Sequence, residues 1–387
     1  MEKQKNIPQL RFPEFNGEWE KKNLGEIAYK NSSNIAANAI EDNFGDYIVY
    51  GASGVLKRVN FYREEEEYIS IVKDGAGVGR VFLCQANTSV LGTLDIIKPT
   101  DTNLYYLFYL LQKTNFLRYI TGSTIPHIYF SDYKAEKILV PCIKEQTKIA
   151  KFLVQVDKKI KNFKNKKKLL EQYKKGVMQK LFSQELRFKD EKGEEFPKWE
   201  NKKLGEIAEL TSSKRIYLND YVKEGIPFYR GKEITELKQN IQPEELLYIS
   251  EKSYLEIKEI YGVPSINDIL ITAVGTLGNI LRIKNSNPFY FKDGNLIWIR
   301  KINEVSEFLE ILLDVFKNDI ETTSIGSTQR ALTMVELRKL ILPFPTKNEQ
   351  IKIVNFISII DKKINLTKLE IEKTERWKKG LLQKMFC

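Results

Sequence analysis

The chain has 387 residues, of which 42% are hydrophobic and 11% aromatic, so it holds enough apolar material for two domains of ordinary size. Its net charge of +11 indicates an anionic partner, nucleic acid ahead of a membrane surface or an acidic protein, although a lysine-rich surface that only aids solubility shows the same balance. The sequence argues against a signal peptide, a membrane span of ~18 apolar residues and a disulfide framework, so we expect a cytoplasmic protein that does not associate with a membrane.

The first third of the chain predicts a mixed α and β body over 18–141. The segment "EEYISIVKDGAGVGRVFLC" contains two β-rich runs joined by a glycine turn, and "LYYLFYLLQKTNFLRYI" has the spacing of an amphipathic helix. A "GST" turn at 122–124 follows this helix. The glycine segment at 74–80 lacks the spacing of a nucleotide-binding loop, so a hairpin turn is the expected structure there.

A long helix is predicted after Pro141, because proline ends the preceding element. Apolar residues then recur every seven positions, which is typical of a coiled coil. The lysines of this segment are interpreted as a solvated helix face, with direct phosphate contact as the alternative. The first apolar row comprises Ile149, Val156, Phe163, Leu170 and Val177, and the second includes Leu153, Ile160 and Leu181.

The remainder of the chain repeats this order. "WEKKNLGEIA" at 19–28 returns as "WENKKLGEIA" at 199–208, and "LRF" precedes both copies. The second body, 198–343, again shows β-rich runs, a glycine turn and an amphipathic helix, but its sequence has diverged. We therefore interpret the repeated segments as framework and the diverged segments as two separate specificities. Further repeated pairs are "TGSTIPH" (121–127) with "IGSTQRA" (325–331), "EQTKIAKFLVQVDKKI" (145–160) with "EQIKIVNFISIIDKKI" (349–364), and "YKKGVMQKLF" (173–182) with "WKKGLLQKMF" (377–386).

The motifs of common enzyme classes are missing or incomplete. The chain has one histidine, His127, without the partners of a catalytic triad, and its three cysteines lack metal-ligand spacing. No GxxxxGK[ST] loop for ATP is present, and "SNPFY" at 286–290 departs from the N-P-P-[YF] motif of adenine methyltransferases. We therefore expect a chain that is not itself an enzyme and has no metal site or cofactor of its own.

Two variable bodies, each followed by a long helix, resemble the specificity subunits of type I restriction–modification systems. The resemblance covers essentially the whole chain and depends on the order of several motifs. The residues that carry it are W-x-x-x-x-L-G-E-I-A at Trp19 and Trp199, GST at Gly122 and Gly326, EQxKI at Glu145 and Glu349, and KKGxxQKxF at Lys174 and Lys378.

This resemblance implies an α+β chain with two tandem target recognition domains, whose helices pack as an antiparallel coiled coil. The expected segments are 1–141, the spacer helix 142–183, the second recognition domain 184–345 and the spacer helix 346–387. Each domain would recognise one half of a bipartite site in double-stranded DNA, and the helices would set the spacer. The expected partners are two modification (methyltransferase) subunits and the restriction (endonuclease and translocase) subunits, which would carry S-adenosylmethionine, ATP and Mg²⁺.

Candidate DNA-binding residues lie in the predicted loops, because base edges in the major groove are recognised by polar side chains that reach into it. Gln329 suits adenine, and Arg230 or Arg330 suits guanine, since these pairs form two hydrogen bonds. The alternative for Gly122 and Gly326 is that each glycine merely ends a helix. The candidates in the first copy are Lys73, Arg80, Ser123, Thr124 and His127; those in the second are Arg230, Lys232, Thr276, Ser327, Thr328, Gln329 and Arg330.

Two other functions are consistent with parts of the pattern. An adenine DNA methyltransferase would methylate DNA as a purified single protein, but it needs a cofactor motif that this sequence does not show. A coiled-coil scaffold that does not bind DNA would show no salt-sensitive DNA binding, even with its partners. Two bodies with diverged sequences, each flanked by the same repeated segments, argue against such a scaffold.

Overall fold

The computed structural model describes residues 6–40, 45–324 and 330–387, and it confirms the predicted α+β class. The chain divides into two compact units. Unit 1 comprises Met1–Lys167 and Leu366–Cys387, and unit 2 comprises Lys168–Asn365. Each unit therefore combines one globular body with a part of each long helix.

The body of unit 1 contains a four-stranded antiparallel sheet in the order β2-β8-β5-β6, a three-stranded sheet in the order β4-β3-β7, and the antiparallel pair β1-β9. Strand β3 pairs antiparallel with β4 and parallel with β7. The strands are β1 (Glu20–Asn23), β2 (Ala28–Ser32), β3 (Tyr47–Gly51), β4 (Gly54–Val59), β5 (Tyr68–Val72), β6 (Val81–Cys84), β7 (Thr88–Val90), β8 (Leu94–Pro99) and β9 (Lys137–Val140). The helices are α1 (Leu24–Ile27), α2 (Leu104–Lys113), α3 (Phe130–Tyr133) and the long α4 (Ile143–Phe182), with 3-10 turns at Ala37–Ala39 and Phe116–Tyr119.

The body of unit 2 has the corresponding sheets β11-β18-β15-β16, β12-β14-β13-β17 and β10-β19. Its parallel pair, β13 with β17, matches β3 with β7 in unit 1. The strands are β10 (Glu200–Lys203), β11 (Glu209–Thr211), β12 (Tyr221–Val222), β13 (Ile226–Tyr229), β14 (Leu247–Ile249), β15 (Ile269–Thr272), β16 (Ile280–Arg282), β17 (Tyr290–Phe291), β18 (Leu296–Arg300) and β19 (Ile341–Phe344). The helices are α5 (Leu204–Ile207), α6 (Gly231–Lys238), α7 (Glu251–Ile260), α8 (Ser306–Val315), α9 (Lys317–Thr322), α10 (Met334–Lys339) and the long α11 (Lys347–Met385), with a 3-10 turn at Leu218–Asp220.

The two amphipathic helices predicted before the GST turns are each broken in two. In unit 1, α2 ends at Lys113, and a separate 3-10 turn begins because the Asn115 side chain accepts a hydrogen bond from Leu117 N–H. In unit 2, α8 and α9 are separated at Phe316. The apolar spacing predicted helix correctly but did not locate these breaks, of which the one in unit 1 coincides with the Asn115 capping bond.

The long helices α4 and α11 contain 40 and 39 residues, as the seven-residue repeats predict. Their apolar rows are buried near the bodies: Ile149 and Leu153 belong to the core of unit 1, and Ile353 and Ile357 belong to the core of unit 2. Each helix therefore begins by packing on the body that precedes it in the chain. A coiled coil along the whole length of the pair stays a prediction.

Within each unit the two helices run antiparallel, and paired charges mark the register. In unit 1, Lys378 Nζ lies 2.7 Å from Asp157 Oδ1, and Lys164 pairs with Glu375 at 2.6 Å, so later residues of α4 meet earlier residues of α11. In unit 2, Lys174 Nζ lies 2.6 Å from Asp361 Oδ1. Lysine and aspartate from the repeated motifs thus form equivalent ion pairs in the two units.

A buried glutamate at the start of α4 joins three of the repeated motifs in unit 1. Glu145 is only 1% exposed. Arg11 of "LRF" donates from Nε and Nη2 to its two carboxylate oxygens, both at 2.8 Å. The indole Nε1 of Trp19 donates to Oε1 at 3.3 Å. The carboxylate is thereby compensated by a bidentate guanidinium, the geometry that best stabilises a buried charge.

Unit 2 contains the same arrangement around Glu349, which is 0% exposed. Arg187 donates from Nε and Nη2 to its oxygens at 3.2 and 2.7 Å, and Trp199 Nε1 donates at 3.3 Å. The repeated "LRF", tryptophan and "EQ" motifs are therefore parts of one buried junction. This finding supports their interpretation as framework.

Candidate nucleic-acid interface

Two loops meet at one end of the unit 1 body, and we name them by their residues. The turn loop of unit 1 (73–80) joins β5 to β6, and the GST loop of unit 1 (121–128) precedes α3. Gly75 N–H donates to Pro126 O at 2.9 Å, and Ile128 N–H donates to Lys73 O at 3.0 Å. Backbone hydrogen bonds therefore hold the two loops together, although residues 81–120 separate them in the sequence.

The GST loop of unit 1 requires a glycine at its turn. Gly122 has φ +86°, and a Cβ atom there would lie 2.4 Å from Ile125 O. Thr121 and His127 close this turn by exchanging backbone hydrogen bonds of 2.8 and 2.9 Å. The glycine therefore turns a loop that displays side chains, and it does not simply end a helix.

Unit 2 pairs its loops in the same manner. The turn loop of unit 2 (273–279) joins β15 to β16. The segment that carries the second GST motif, which we name the GST loop of unit 2, is described at Ser324, Arg330 and Ala331. Leu332 N–H donates to Ala273 O at 2.9 Å, and Val274 pairs antiparallel with Ala331 as Asp74 pairs with His127. Three candidates of this loop, Ser327, Thr328 and Gln329, lie outside the described residues.

The GST loop of unit 1 presents hydroxyl and aromatic groups to solvent. Ser123 and Thr124 are exposed. His127 is partly exposed, with Nδ1 3.7 Å from Asp74 Oδ1 and its ring centroid 5.7 Å from that of Tyr129. Hydroxyl and imidazole groups at this place can donate to or accept from base edges or phosphate oxygens.

The basic candidates of the turn loop in unit 1 lie on either side of it. Lys73 Nζ lies 3.5 Å from Asp95 Oδ1. Arg80 is exposed at the other end of the loop, and its Nη1 donates to Ala52 O at 3.3 Å. The structure therefore brings Lys73 and His127 together through the paired loops, whereas Arg80 points towards the turn between β3 and β4.

In unit 2, Arg230 lies at the N-terminus of α6 and is bound to a buried carboxylate. Its Nη2 donates at 2.5 Å to Glu233 Oε1, and Glu233 is 0% exposed. Burial alone would raise the pKa of the Glu233 carboxyl. The hydrogen bonds from Arg230 lower it by more, so the pKa of Glu233 lies below its ordinary value. Lys232 is 56% exposed in its side chain and lies 3.9 Å from Glu236 and from Glu245. Arg230 is thus held in a fixed orientation, and Lys232 faces solvent.

The remaining candidates of unit 2, Thr276 and Arg330, are exposed on the paired loops. The Thr276 carbonyl accepts a hydrogen bond from Thr272 Oγ1, which shapes the turn loop. Arg330 Nη2 donates to Glu321 O at 3.4 Å.

Helix α6 packs beside the turn loop of unit 2, so Arg230 and Thr276 belong to one surface. Asn279 Nδ2 donates to Thr235 Oγ1 of α6 at 2.8 Å, and Lys317 Nζ of α9 donates to Asn279 Oδ1 at 3.1 Å. Lys317 and Tyr129 are members of these surfaces that the sequence analysis missed. The signal for Tyr129 is its position two residues after His127, whereas no local pattern distinguishes Lys317 from other helix lysines.

The chemistry of these surfaces suits recognition of a polyanion. The paired loops of unit 1 carry Lys73, Ser123, Thr124 and His127, and those of unit 2 carry Thr276 and Arg330. Such groups contact DNA phosphates and base edges. Across residues 6–40, 45–324 and 330–387, no three or more His, Cys, Asp or Glu side chains are placed to hold a metal ion. Over the same ranges, we find no helix with the length and apolar character needed to cross a membrane.

Comparison with known proteins gives matches to both copies of the repeat. The family model described as "Type I restriction modification DNA specificity domain" matches residues 16–172 and 197–376. The type I restriction enzyme MjaVIII specificity subunit of Methanocaldococcus jannaschii is 26% identical, over 98% of this chain and 93% of its own. A putative type I restriction enzyme specificity subunit of Haemophilus influenzae is also 26% identical, over 90% of this chain and 88% of its own.

Solved structures share the fold. The S subunit of a type I restriction-modification system from M. genitalium has a TM-score of 0.64 and 20% identity, and the match covers 98% of this chain and 99% of that one. A chain from a structural study of assembly and conformational transition in the type I R-M system has a TM-score of 0.53 and 16% identity, over 95% and 96%.

Proposed function

The chain belongs to the family of type I restriction modification DNA specificity domains, and from this premise we propose that each of its units recognises one half of a bipartite DNA target. It serves as the DNA-recognition subunit of a type I restriction–modification system. One observation carries the assignment of half-sites to units. Both units pair a turn loop with a GST loop through equivalent backbone bonds, yet the side chains on those loops differ.

Recognition divides into two kinds of contact in this proposal. Exposed lysines such as Lys232 bind phosphates, which gives affinity that falls with salt but carries no sequence information. Side chains on the GST loops contact base edges: Ser123, Thr124 and His127 in unit 1, with Ser327, Thr328, Gln329 and Arg330 in unit 2. Thr276 supports the loop of unit 2, and Lys73 contacts phosphate. Arg80 and Arg230 lie at the margins of the two surfaces and contact phosphate or base.

The chemistry then belongs to partner subunits. Two modification subunits bind S-adenosylmethionine and methylate adenine at the sites that this chain selects, and restriction subunits use ATP and Mg²⁺ to cleave unmodified DNA. The long helices dock the modification subunits and set the distance between half-sites. The chain itself is a non-catalytic subunit that acts on DNA in the cytoplasm.

A map of methylated adenine in the source genome, made with and without this gene, tests the proposal. Deletion is expected to remove one bipartite motif, consisting of two short sequences around a fixed gap, while all other methylated motifs persist. Purification with an intact methyltransferase subunit serves as the control that the system is active. An unchanged map in a strain with that intact complex would refute the proposal.

Assays with the purified protein and with the purified complex distinguish this function from its two alternatives. An adenine methyltransferase in its own right would transfer methyl groups when purified alone, whereas the specificity subunit requires its modification subunits. A scaffold that does not bind DNA would leave the complex without salt-dependent DNA binding.

A further inference from the structure

Unit 1 contains a cleft of about 620 Å³ beside its paired loops. Three lysines line it, Lys30 from β2, Lys73 from the turn loop and Lys134 after α3. The other lining residues are the carboxylates Asp74 and Asp95, with Tyr129, Phe130 and Ser131. Lys73 is shared with the recognition surface, whereas Lys30 and Lys134 come from other parts of the sequence. The cleft thus concentrates positive charge next to the loops that we assign to DNA.

A buried carboxylate holds two of these lysines. Asp95 is 3% exposed, and its Oδ1 has no hydrogen-bond partner among the described residues. Lys73 Nζ and Lys30 Nζ lie 3.5 and 3.9 Å from this oxygen. Lys30 Nζ also donates to Ser32 Oγ at 2.9 Å. Because an ammonium has three N–H donors, both lysines keep donors for a ligand while Asp95 fixes their position.

Unit 2 has apolar residues at the same strand positions. In unit 1, Asp95 pairs with Ile71 across β8 and β5; in unit 2, Ile297 pairs with Ile271 across β18 and β15. A buried carboxylate costs free energy unless it is compensated. Because unit 2 forms the same sheet with Ile297 in this position, the sheet does not need Asp95 in order to fold. The unit 2 residues at the places of Lys30, Lys73 and Asp95 are Leu210, Ala273 and Ile297, and all three belong to its apolar core.

We propose that the cleft of unit 1 binds a phosphate group of the DNA backbone, and that unit 2 has no equivalent contact at this place. The inference rests on the proposed function of the paired loops. Lys30, Lys73 and Lys134 outnumber the two carboxylates that line the cleft, Asp74 and Asp95, so the cleft attracts an anion. Its volume admits a phosphate with part of the adjoining sugar. The contact anchors the DNA half-site of unit 1 without contributing to sequence recognition.

A variant that gives unit 1 the residues of unit 2 tests this inference: Lys30→Leu, Lys73→Ala and Asp95→Ile together. Unit 2 shows that these residues pack in this sheet, and the variant leaves no buried charge unpaired. DNA affinity of the complex with its modification subunits is measured against salt concentration. We expect the slope of log K against log salt to fall by about 1, because the variant loses the contact with one phosphate, while the methylated motif stays the same.

A matched control removes two lysines elsewhere in unit 1, Lys21→Gln and Lys137→Gln on the β1-β9 pair, and should keep the wild-type slope. An unchanged slope in the triple variant, or a changed half-sequence, would overturn the inference. Titration of the wild-type complex with inorganic phosphate tests whether the cleft binds only a free anion. If inorganic phosphate binds in the cleft but the triple variant keeps the wild-type slope, the inference is also overturned. Failure of the wild-type complex to bind its bipartite target would instead refute the proposed function.

Discussion

The Glu145 carboxylate accepts two hydrogen bonds from Arg11 and one from Trp19, although its residue is almost inaccessible to solvent. A buried carboxylate is stable in the folded state only while such donors surround it. The three motifs that supply these groups are therefore mutually dependent. This dependence explains why they recur together around Glu349, whereas the loops that face solvent have diverged.

Replacement of Arg11 by alanine should destabilise the protein by about 3–5 kcal/mol, because it leaves a buried charge without its partner. Urea unfolding monitored by tryptophan fluorescence measures the loss. Arg187→Ala should give a loss of similar size in unit 2. Arg11→Lys is the matched variant, and it should lose less because it keeps the charge but not the bidentate geometry. A loss below about 1 kcal/mol for Arg11→Ala would contradict the buried-junction account.

At the scale of elements, local pattern predicted the long helices and the strand pairs around each glycine turn. These features depend on neighbouring residues, such as the seven-residue rows that contain Ile149 and Leu153. The sequence did not reveal the pairing of turn loop with GST loop, because Gly75 and Pro126 meet only through the folded sheet. Nor did it reveal the cleft, since Lys30 and Asp95 become neighbours only by the pairing of β2 with β8.

The long helix α4 also allows a test of the spacer. Insertion of four residues within 158–172 lengthens the helix by about 6 Å, which we expect to change the gap between the half-sites and leave both half-sequences intact. The methylated motif reports both quantities at once. Replacement of four exposed residues in the same segment by alanine, without a change of length, should leave the gap unaltered. An altered half-sequence after the insertion would refute the role of the helix as a spacer.

At the scale of the whole molecule, the two units are alike in structure but different in chain connection. Leu186 N–H donates to Lys180 O at 3.0 Å in unit 2, where a short connection joins the two residues. In unit 1, the equivalent bond from Leu10 N–H to Lys384 O, 2.8 Å, joins residues near opposite ends of the sequence. Each unit thus has the same junction between a helix end and an "LRF" segment. Two independent surfaces that each recognise a half-site require this combination of a duplicated structural core with different loops.

The most direct test of this account compares methylated motifs for two loop variants, Ser123→Ala with Thr124→Ala, and Gln329→Ala with Arg330→Ala. Loss of base contacts should relax the half-sequence recognised by one unit only, the first variant affecting one half and the second variant the other. The gap between the halves should remain as in the wild type, because neither variant changes a helix. A variant that altered both halves, or the same half in both cases, would contradict recognition of separate half-sites by the two units.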